Sequence, residues 1–204
     1  MLAIVDYGVG NLFSLSSSLK YSGIASVITS DASVIEKSDR IILPGVGAFK
    51  DAINKLRQSG LDKVILKEAE KGKPIMGICL GMQLLFEKSY EYGEHTGLGL
   101  LNGEVIPMKG KMPSQLKIPH IGWNKLETKR ENEILKYLHS GDYVYFVHSF
   151  FVEGENENAV AVTDYGLSVT AAVAKNNIYG CQFHPEKSGE VGLSILKAFN
   201  EISI

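Results

Sequence analysis

The stretch Ile75–Gly81, IMGICLG, joins a short apolar run to the start of a helical pattern. Its last five residues have the form G-x-C-x-G, which is the pattern of a nucleophile elbow with cysteine in place of serine. Glycine is needed on both flanks because so tight a turn brings neighbouring backbone close, and a Cβ there would clash. We expect the turn to hold the Cys79 thiol at the carboxyl end of a sheet and at a helix N-terminus, which favours the thiolate. A buried core cysteine is the alternative interpretation.

Outward from this turn, the first half of the chain alternates short apolar runs with helical patterns. The runs are bounded by Gly, Pro or Asp and predict four strands, Leu2–Val5, Ile24–Ile28, Arg40–Leu43 and Ile75–Ile78. Helices are predicted from an N-cap at Asn11 to a stop at Gly23, and over Phe49–Arg57, Leu61–Lys71 and Leu80–Lys88. Strands that are apolar on both faces and spaced by helices indicate βαβ units. This half is therefore α/β, with a parallel sheet flanked by helices.

The second half is richer in strands. Six strand-like runs are separated by turns of Gly, Asn and Asp, namely Glu104–Pro107, Gln115–Ile118, Tyr143–Val147, Ala159–Thr163, Val169–Ala174 and Ile178–Phe183. They predict an antiparallel or mixed extension of the same sheet. The region Tyr90–Lys117 is expected to be rich in surface loops, and a final helix is predicted over Gly189–Glu201. No linker divides the chain, so residues 1–204 are expected to form one domain.

Composition and charge limit the classes of function. The 204 residues include 21 basic and 23 acidic side chains, a formal charge of −2, and 45% are hydrophobic. This is typical of a globular protein and argues against nucleic acid as the main partner, because phosphate binding needs surplus Lys and Arg. No apolar run is long enough for a membrane span, and no signal peptide is expected. Two cysteines make no disulfide framework, so we expect a cytoplasmic protein.

A second motif, Gln182-Phe183-His184-Pro185-Glu186, follows the last predicted strand. His184 is placed to take the thiol proton and return it to a leaving amine, and Glu186 to orient the imidazole and stabilise its charged form. The His-x-Glu spacing suits this pairing because alternate residues of an extended chain share a face. A lone histidine at a strand end is more often structural. This chain has only five His and two Cys, and it also carries the Cys79 turn. We therefore interpret His184 as catalytic.

A glycine-rich turn, Leu43–Phe49 (LPGVGAF), lies between the third predicted strand and a helix. Backbone N–H groups of such a turn, with that of the residue after the nucleophile, predict an oxyanion hole made by Val46, Gly47 and Leu80. A plain strand–helix turn and a phosphate-binding loop are the alternatives.

Other cofactor sites are not supported. Neither Gly45-x-Gly47 nor Gly8-x-Gly10 completes the G-x-G-x-x-G of a dinucleotide site, and the histidines lack metal-ligand spacing. We therefore expect no cofactor and no metal. The other cysteine, Cys181, lies in an apolar strand and is expected to be a core thiol.

Three segments, in this order, resemble class I glutamine amidotransferases: Pro44–Gly47, Gly77–Gln83 and His184–Glu186. Within that class the chain more closely resembles the glutaminase subunits of imidazole glycerol phosphate synthases, through Asp6–Asn11 (DYGVGN), Pro119–Asn124 (PHIGWN) and His184–Gly189 (HPEKSG). The resemblance runs from Leu2 to the last helix. It implies a flavodoxin-like fold, which agrees with the α/β pattern.

The resemblance implies hydrolysis of glutamine to glutamate and ammonia through a γ-glutamyl thioester on Cys79. His184 would act as base and then acid, with Glu186 orienting it. The glutamine pocket carries over to Gly47, Gln83, Glu91, Ser149 and Phe150. The spacing of Gln83, four residues after Cys79, is one helical turn. The Glu91 carboxylate could pair with the substrate's α-ammonium group, and a solvated loop carboxylate is the alternative.

Other members of the class usually have His where Met82 stands, which separates this chain from the class at large. One position departs from the pattern of the subunits. Phe150, in His148-Ser149-Phe150, stands where these subunits usually have Tyr. If the pocket is contacted there through backbone, the missing hydroxyl matters little. His148 is interpreted as structural.

The resemblance also implies a partner, because ammonia released to water would be protonated and lost. This partner would be a (β/α)8-barrel cyclase subunit in a heterodimer. It would receive ammonia along an internal route and make imidazole glycerol phosphate and aminoimidazole carboxamide ribotide. Candidates for the interface and the tunnel mouth are Asn11, Trp123 and Lys187; an exposed Trp is a common interface anchor, and a core Trp123 is the alternative. A flexible Pro44–Gly47 loop that forms its oxyanion donor only in the complex would act as a switch.

Three rival functions remain open at this point. The nearest is a paralogous glutaminase that feeds ammonia to a nucleotide-sugar or surface-polysaccharide amidotransferase. The second is a partner-free Cys hydrolase of the same fold, and the third is a flavodoxin-like interaction module without catalysis.

Overall fold

The computed structural model describes residues 1–203. Its strands are β1 (Leu2–Val5), β2 (Ser26–Thr29), β3 (Arg40–Gly45), β4 (Ile75–Cys79), β5 (Phe86–Ser89), β6 (His95–Thr96), β7 (Leu101–Pro107), β8 (His120–Lys125), β9 (Glu127–Thr128), β10 (Tyr143–His148), β11 (Phe150–Phe151), β12 (Ala159–Asp164), β13 (Ser168–Lys175) and β14 (Ile178–Cys181). Its helices are α1 (Leu12–Tyr21), α2 (Ala32–Lys37), α3 (Phe49–Gln58), α4 (Leu61–Glu70), α5 (Leu80–Leu84) and α6 (Gly189–Asn200), with 3-10 turns at Glu133–Leu135 and Pro185–Lys187.

The main sheet has eight strands in the order β2-β1-β3-β4-β14-β13-β12-β9. From β2 to β14 neighbouring strands pair in parallel, and from β14 to β9 they pair antiparallel. This confirms the predicted parallel sheet with an antiparallel extension. Two smaller sheets, β10-β8 and β11-β7-β5-β6, are formed by the second half of the chain and by β5 and β6.

The order of strands places two distant segments side by side. β4 and β14 are adjacent and parallel, with Ile78 opposite Cys181. Because parallel strands end at the same edge of a sheet, the residues that follow each of them leave from neighbouring points. Cys79 and His184 therefore start close together, although they lie far apart in sequence.

The core lies on both faces of the main sheet. α1 and α6 cover one face with apolar residues such as Leu19 and Phe199. α2, α3 and α4 cover the other face with apolar residues such as Ile35, Leu56 and Ile65, which are also fully buried. With both faces covered, the parallel strands are apolar throughout. No helix within residues 1–203 combines the length and hydrophobicity that a bilayer span requires.

The turn from β4 to α5 is as tight as its glycines predict. A Cβ on Gly77 would lie 2.6 Å from both the Gly81 carbonyl oxygen and the Met82 Cα, and a Cβ on Gly81 would overlap the Leu43 carbonyl oxygen. Gly81 is therefore required by the contact of the elbow with β3, and Gly77 by the closeness of the following helical turn; neither has a positive φ.

The predicted helix Leu80–Lys88 is wrong beyond Leu84. The helix stops there and Phe86–Ser89 forms β5, which pairs in parallel with β7. Leu84, Leu85 and Phe86 are all fully buried. A run that is apolar on every side does not distinguish a buried helix from a buried strand. Here the run forms a strand because it pairs with β7.

The predicted strand Gln115–Ile118 is also wrong. Its residues are mostly exposed and form turns, and the strand of this region is β8, which begins at His120 and pairs with β10. Helix α2 was not predicted, although Asp31 caps it by accepting the Ser33 N–H at 2.7 Å.

Smaller differences concern bounds. The second strand begins two residues later than predicted, the third extends to Gly45, and the region 90–117 contains the strands β6 and β7 besides its loops. The N-cap at Asn11 is confirmed, since its side chain accepts the Ser14 N–H.

The elbow contact predicts a large effect of one added methyl group. Gly81→Ala should lower the free energy of unfolding by about 3 kcal/mol, because the new Cβ meets a backbone carbonyl inside the sheet and cannot be accommodated by a side-chain shift. Gly72→Ala is the control, since its Cβ meets nothing within 4 Å and only its φ of +85° is unfavourable; there we expect a loss of roughly 1–2 kcal/mol. Urea unfolding followed by circular dichroism measures both. Equal losses would contradict the tight packing of the elbow.

Candidate active site

Cys79 occupies the turn itself. Its backbone has φ 54° and ψ −112°, a conformation that L-residues rarely adopt. Such strain is stored where the surrounding structure enforces it, often at a functional site. Here the glycine-flanked turn enforces it, and the thiol lies at the carboxyl end of β4, 7% exposed and facing a cavity.

His184 and Glu186 form a buried pair beside this thiol. The imidazole Nδ1 lies 2.7 Å from the Glu186 Oε1, with the two side chains 2% and 4% exposed. The other ring nitrogen, Nε2, has no hydrogen-bond partner within residues 1–203, so it is free to exchange a proton with a neighbouring group. The carboxylate thus fixes the ring orientation, as the third member of a triad does.

The charges around His184 favour its protonated form. Burial by itself lowers the pKa of the imidazole, but the Cys79 thiolate and the Glu186 carboxylate outweigh it and raise the pKa from 6.5 to about 9. At neutral pH the ring is then an imidazolium that faces the Cys79 sulfur. The expected long helix behind Cys79 is absent, since α5 has only five residues. The positive charge next to the Cys79 sulfur is therefore that of His184 rather than a helix dipole.

The glycine-rich turn lies against the elbow. A Cβ on Gly45 would come within 2.8 Å of the Gly81 nitrogen and 2.9 Å of the Tyr7 hydroxyl. The Tyr7 hydroxyl donates to the Pro44 carbonyl at 2.7 Å, and burial, together with the Cys79 charge, raises the pKa of Tyr7 above its ordinary range. Tyr7 was not singled out from the sequence, although it lies within the Asp6–Asn11 segment.

A cavity of about 380 Å³ opens in front of the thiol. It brings together most of the predicted site residues, namely Val46, Gly47, Cys79, Leu80, Gln83, Glu91, Ser149, Phe150, His184 and Lys187. Three further residues line it that the sequence did not assign to the site, Pro119, Val147 and His148. Three predicted residues are not part of this lining, as far as residues 1–203 describe it. Glu186 lies behind His184, and Asn11 and Trp123 lie elsewhere.

Gln83 and Phe150 meet through the backbone. The Gln83 Nε2 donates to the Phe150 carbonyl at 3.1 Å and to the Gln182 Oε1 at 2.9 Å. The Phe150 carbonyl also lies 2.9 Å from the His148 Nδ1. The contact is therefore independent of the aromatic side chain, and a phenylalanine at this position keeps it.

Glu91 is half-buried at the cavity edge and is not a freely solvated carboxylate. Its Oε2 accepts the Phe49 N–H at 2.6 Å, at the first residue of α3. The N-cap residue Ala48 has no side-chain hydrogen bond to offer there, so Glu91 supplies the missing acceptor from outside the helix. Burial raises the pKa of the Glu91 carboxyl, and the Phe49 N–H partly offsets this. The carboxylate thus links the cavity to the helix that follows the glycine-rich turn.

His148 has a structural partner as well as a place in the cavity wall. Its Nε2 lies 3.0 Å from the His120 Nδ1. Because a carbonyl only accepts, the His148 Nδ1 carries the proton toward Phe150, which leaves its Nε2 to accept from His120. Burial lowers the pKa of His120 to about 4 and that of His148 to about 3. Both rings are therefore neutral near pH 7, which suits a structural role.

The interface candidates lie at the outer side of the site. Trp123 is 55% exposed on β8, so the core alternative is wrong. Its ring packs edge-on against Tyr145 at 6.1 Å, and the Lys187 Nζ lies 5.9 Å from the centre of the same Tyr145 ring. Asn11 is exposed at the start of α1. Trp123 and Lys187 therefore flank one aromatic ring next to the cavity.

Comparison with known proteins places this chain among amidotransferases. The family model described as glutamine amidotransferase class-I matches residues 3–201. The imidazole glycerol phosphate synthase subunit HisH of Caldanaerobacter subterraneus subsp. tengcongensis is 52% identical over 203 residues, covering 99% of this chain and 98% of the relative. The subunit of the same name from Aquifex aeolicus is 52% identical over 198 residues, covering 96% and 94%.

Solved structures support the same fold at lower identity. A glutamine amidotransferase crystal structure aligns with a TM-score of 0.74 at 20% identity, covering 97% of this chain and 98% of the other. The PurLQS structure from Thermotoga maritima aligns with a TM-score of 0.72 at 22% identity, covering 97% and 96%. At this identity the likeness concerns the fold alone.

The charge pairing around His184 predicts the effect of removing its carboxylate. Glu186→Gln should lower the pKa of His184 from about 9 toward 6.5, measured by NMR titration of the ring nitrogens. Because the folded pKa is raised, protonation of His184 stabilises the fold fully below pH 6.5 and this stabilisation is lost as the pH rises through about 9. The variant should lose part of this pH dependence.

The low pKa of His120, about 4, serves as the internal control and should not change. An unchanged His184 titration in the Glu186→Gln variant would contradict the proposed pairing.

Proposed function

The chain belongs to the class-I glutamine amidotransferase family, and on this premise we propose that it is the glutaminase subunit of an imidazole glycerol phosphate synthase, acting in histidine biosynthesis. It hydrolyses glutamine to glutamate and ammonia and passes the ammonia to a cyclase subunit. The observation that carries the proposal is that Cys79, on its strained turn, and His184 line one cavity, with the buried Glu186 paired to the far side of the His184 ring. The HisH names of relatives that are half identical to this chain favour it over the paralogous glutaminase.

The first half of the reaction forms a thioester. The Cys79 thiolate attacks the side-chain amide carbon of glutamine, and the charge that develops on the amide oxygen is stabilised by backbone N–H groups of Gly47 and Leu80, with Val46 in the same turn. The Leu80 N–H belongs to the first turn of α5 and has no intrahelical acceptor. Each such donor contributes about 10²–10³ in rate. The His184 imidazolium donates its proton to the amide nitrogen, and ammonia leaves.

The second half releases glutamate. His184, now neutral, takes a proton from water, which attacks the thioester carbonyl carbon. The carbon–sulfur bond breaks, glutamate leaves, and the thiolate–imidazolium pair is restored. Glu186 holds the ring with Nε2 toward the thiol throughout, because its Oε1 occupies Nδ1 at 2.7 Å.

The cavity walls hold the substrate. Glu91 offers its carboxylate to the α-ammonium group, while Ser149, Phe150 and the Gln83 side chain form other parts of the cavity wall. Since both amide hydrogens of Gln83 are already donated to protein acceptors, its Oε1 is the atom left to accept from a substrate N–H group. These roles form a pocket that matches a small zwitterion with an amide side chain.

The partner is a (β/α)8-barrel cyclase subunit that forms a heterodimer with this chain in the cytoplasm. Free ammonia would become ammonium in water, so an enclosed route to the synthase preserves the nucleophile. Trp123, Lys187 and Asn11 lie on the partner-facing side, where an exposed Trp provides an anchor. The cyclase converts its substrate to imidazole glycerol phosphate and aminoimidazole carboxamide ribotide, and residues 1–204 act as one amidotransferase domain.

Removal of the nucleophile should separate the two activities. Cys79→Ala is expected to abolish glutamine hydrolysis while leaving partner binding and ammonia-dependent synthesis intact, because only the thioester step needs the thiol. Cys181→Ala is the matched control. Its thiol is fully buried, and burial raises its pKa above the ordinary range, so it stays an unreactive thiol. A coupled glutamate-dehydrogenase assay measures glutamine hydrolysis, and the formation of imidazole glycerol phosphate from ammonium chloride measures ammonia-dependent synthesis. Normal glutamine turnover in Cys79→Ala would overturn the proposal.

Partner dependence gives an independent test. Glutamine hydrolysis by the isolated chain should be slow and should rise strongly when the cyclase and its ligand are added, because the oxyanion donors of the Pro44–Gly47 turn are completed only in the complex. Steady-state rates with and without partner measure the effect. Equal rates would contradict this switch and would favour a partner-free hydrolase.

A further inference from the structure

The side chain of Gln182 is fully buried between the pocket wall and the nucleophile. It lies directly after β14 and is 0% exposed. Its Oε1 accepts from the Gln83 Nε2 at 2.9 Å, and its Nε2 lies 3.7 Å from the Cys79 Sγ, within the range of an N–H···S hydrogen bond. The triad and the pocket residues described above leave this contact without a role.

The direction of these hydrogen bonds is set by a backbone carbonyl. An amide side chain can be turned either way, and its neighbours must decide which end is the NH₂ group. The group of Gln83 that faces the Phe150 carbonyl must be the donor, because a carbonyl only accepts. The second hydrogen of that NH₂ then meets the Oε1 of Gln182, so the opposite end of Gln182, which faces the thiol, is its own NH₂.

Ionisation of the thiol changes which of its contacts are favourable. A neutral Cys79 thiol donates to the Val147 carbonyl, at 3.8 Å. A thiolate has no proton to donate there, whereas it accepts a stronger hydrogen bond from the Gln182 NH₂, because hydrogen bonds to charged groups exceed neutral ones. The Gln182 contact therefore favours the charged form over the neutral form.

We propose that Gln182 is a positioning residue for the nucleophile: through its N–H···S contact it holds the Cys79 sulfur and stabilises the thiolate. This inference rests on the proposed function, since it assigns Gln182 to the same thioester chemistry. The backbone of Gln182 is itself fixed, because its N–H donates to the Ala171 carbonyl of β13 at 2.8 Å. The donor is thus held in place before the charge forms, which is the arrangement that electrostatic stabilisation requires.

The test measures the thiolate directly and needs neither glutamine nor a partner. Alkylation of the folded, isolated chain by iodoacetamide is followed against pH, with Cys79 and Cys181 distinguished by peptide mass spectrometry. In Gln182→Met, which keeps the length but has no donor, the midpoint for Cys79 should rise by roughly one to two pH units, the size of a hydrogen bond to a charged group. In Gln182→Glu, which places an acid against the sulfur, it should rise at least as far.

A purely structural role would give a different result. Thr170→Val is the matched control, because Thr170 is equally buried on β13 and its hydroxyl donates to the Glu153 carbonyl, away from the thiol. It should lower the melting temperature without moving the Cys79 midpoint.

If Gln182→Met unfolds, as judged by circular dichroism, the Gln182→Glu profile decides. A folded variant at position 182 with the wild-type alkylation profile would overturn the inference. A shifted profile, together with no glutamine hydrolysis by the wild-type chain in the presence of its cyclase partner, would instead overturn the proposed function and leave the thiolate contact standing.

Discussion

The parallel pairing of β4 with β14 determines the site. Ile78 lies opposite Cys181 in this pair, so the two chains leave the sheet at adjacent points, one turning through the elbow and the other into the His184 segment. Parallel neighbours so distant in sequence require crossovers packed on the sheet faces. The connection between them runs through α5 and the strands β5 to β13.

Around this pairing, the site is organised by buried polar groups that restrict one another. Glu186 fixes the His184 ring, and Gln83 fixes Gln182, which in turn faces the Cys79 sulfur. In a low-dielectric setting such networks are favourable only when their members are satisfied. The tautomers and amide orientations then follow from a few backbone carbonyls, above all that of Phe150. The nucleophile and the pocket wall therefore belong to one network.

The extent to which the sequence predicted this structure varies with the range of the interactions. The elbow glycines, the His-x-Glu pair and the N-cap at Asn11 follow from local sterics and spacing, and they lie where expected. The prediction extended helix α5 to Lys88, whereas the helix ends at Leu84. The run around Leu84 is apolar on every side, so its conformation is decided by the pairing of β5 with β7.

Contacts made across the fold carry no local signal. Three such contacts join segments far apart in sequence: the Tyr7 hydroxyl with Pro44, the Glu91 carboxylate with the Phe49 N–H, and the Gln182 amide with Cys79. Short motifs identified the reacting residues, whereas these contacts, which orient them, needed the tertiary structure.

The proposed reaction requires that Cys79 carry the γ-glutamyl group of glutamine. The most direct measurement is rapid acid quenching of the chain with glutamine and its cyclase partner, followed by mass spectrometry of the Cys79 peptide. We expect a transient mass increase equal to glutamine minus ammonia on that peptide and none on the Cys181 peptide. Steady turnover of glutamine with no adduct on Cys79, or with an adduct on another residue, would contradict it.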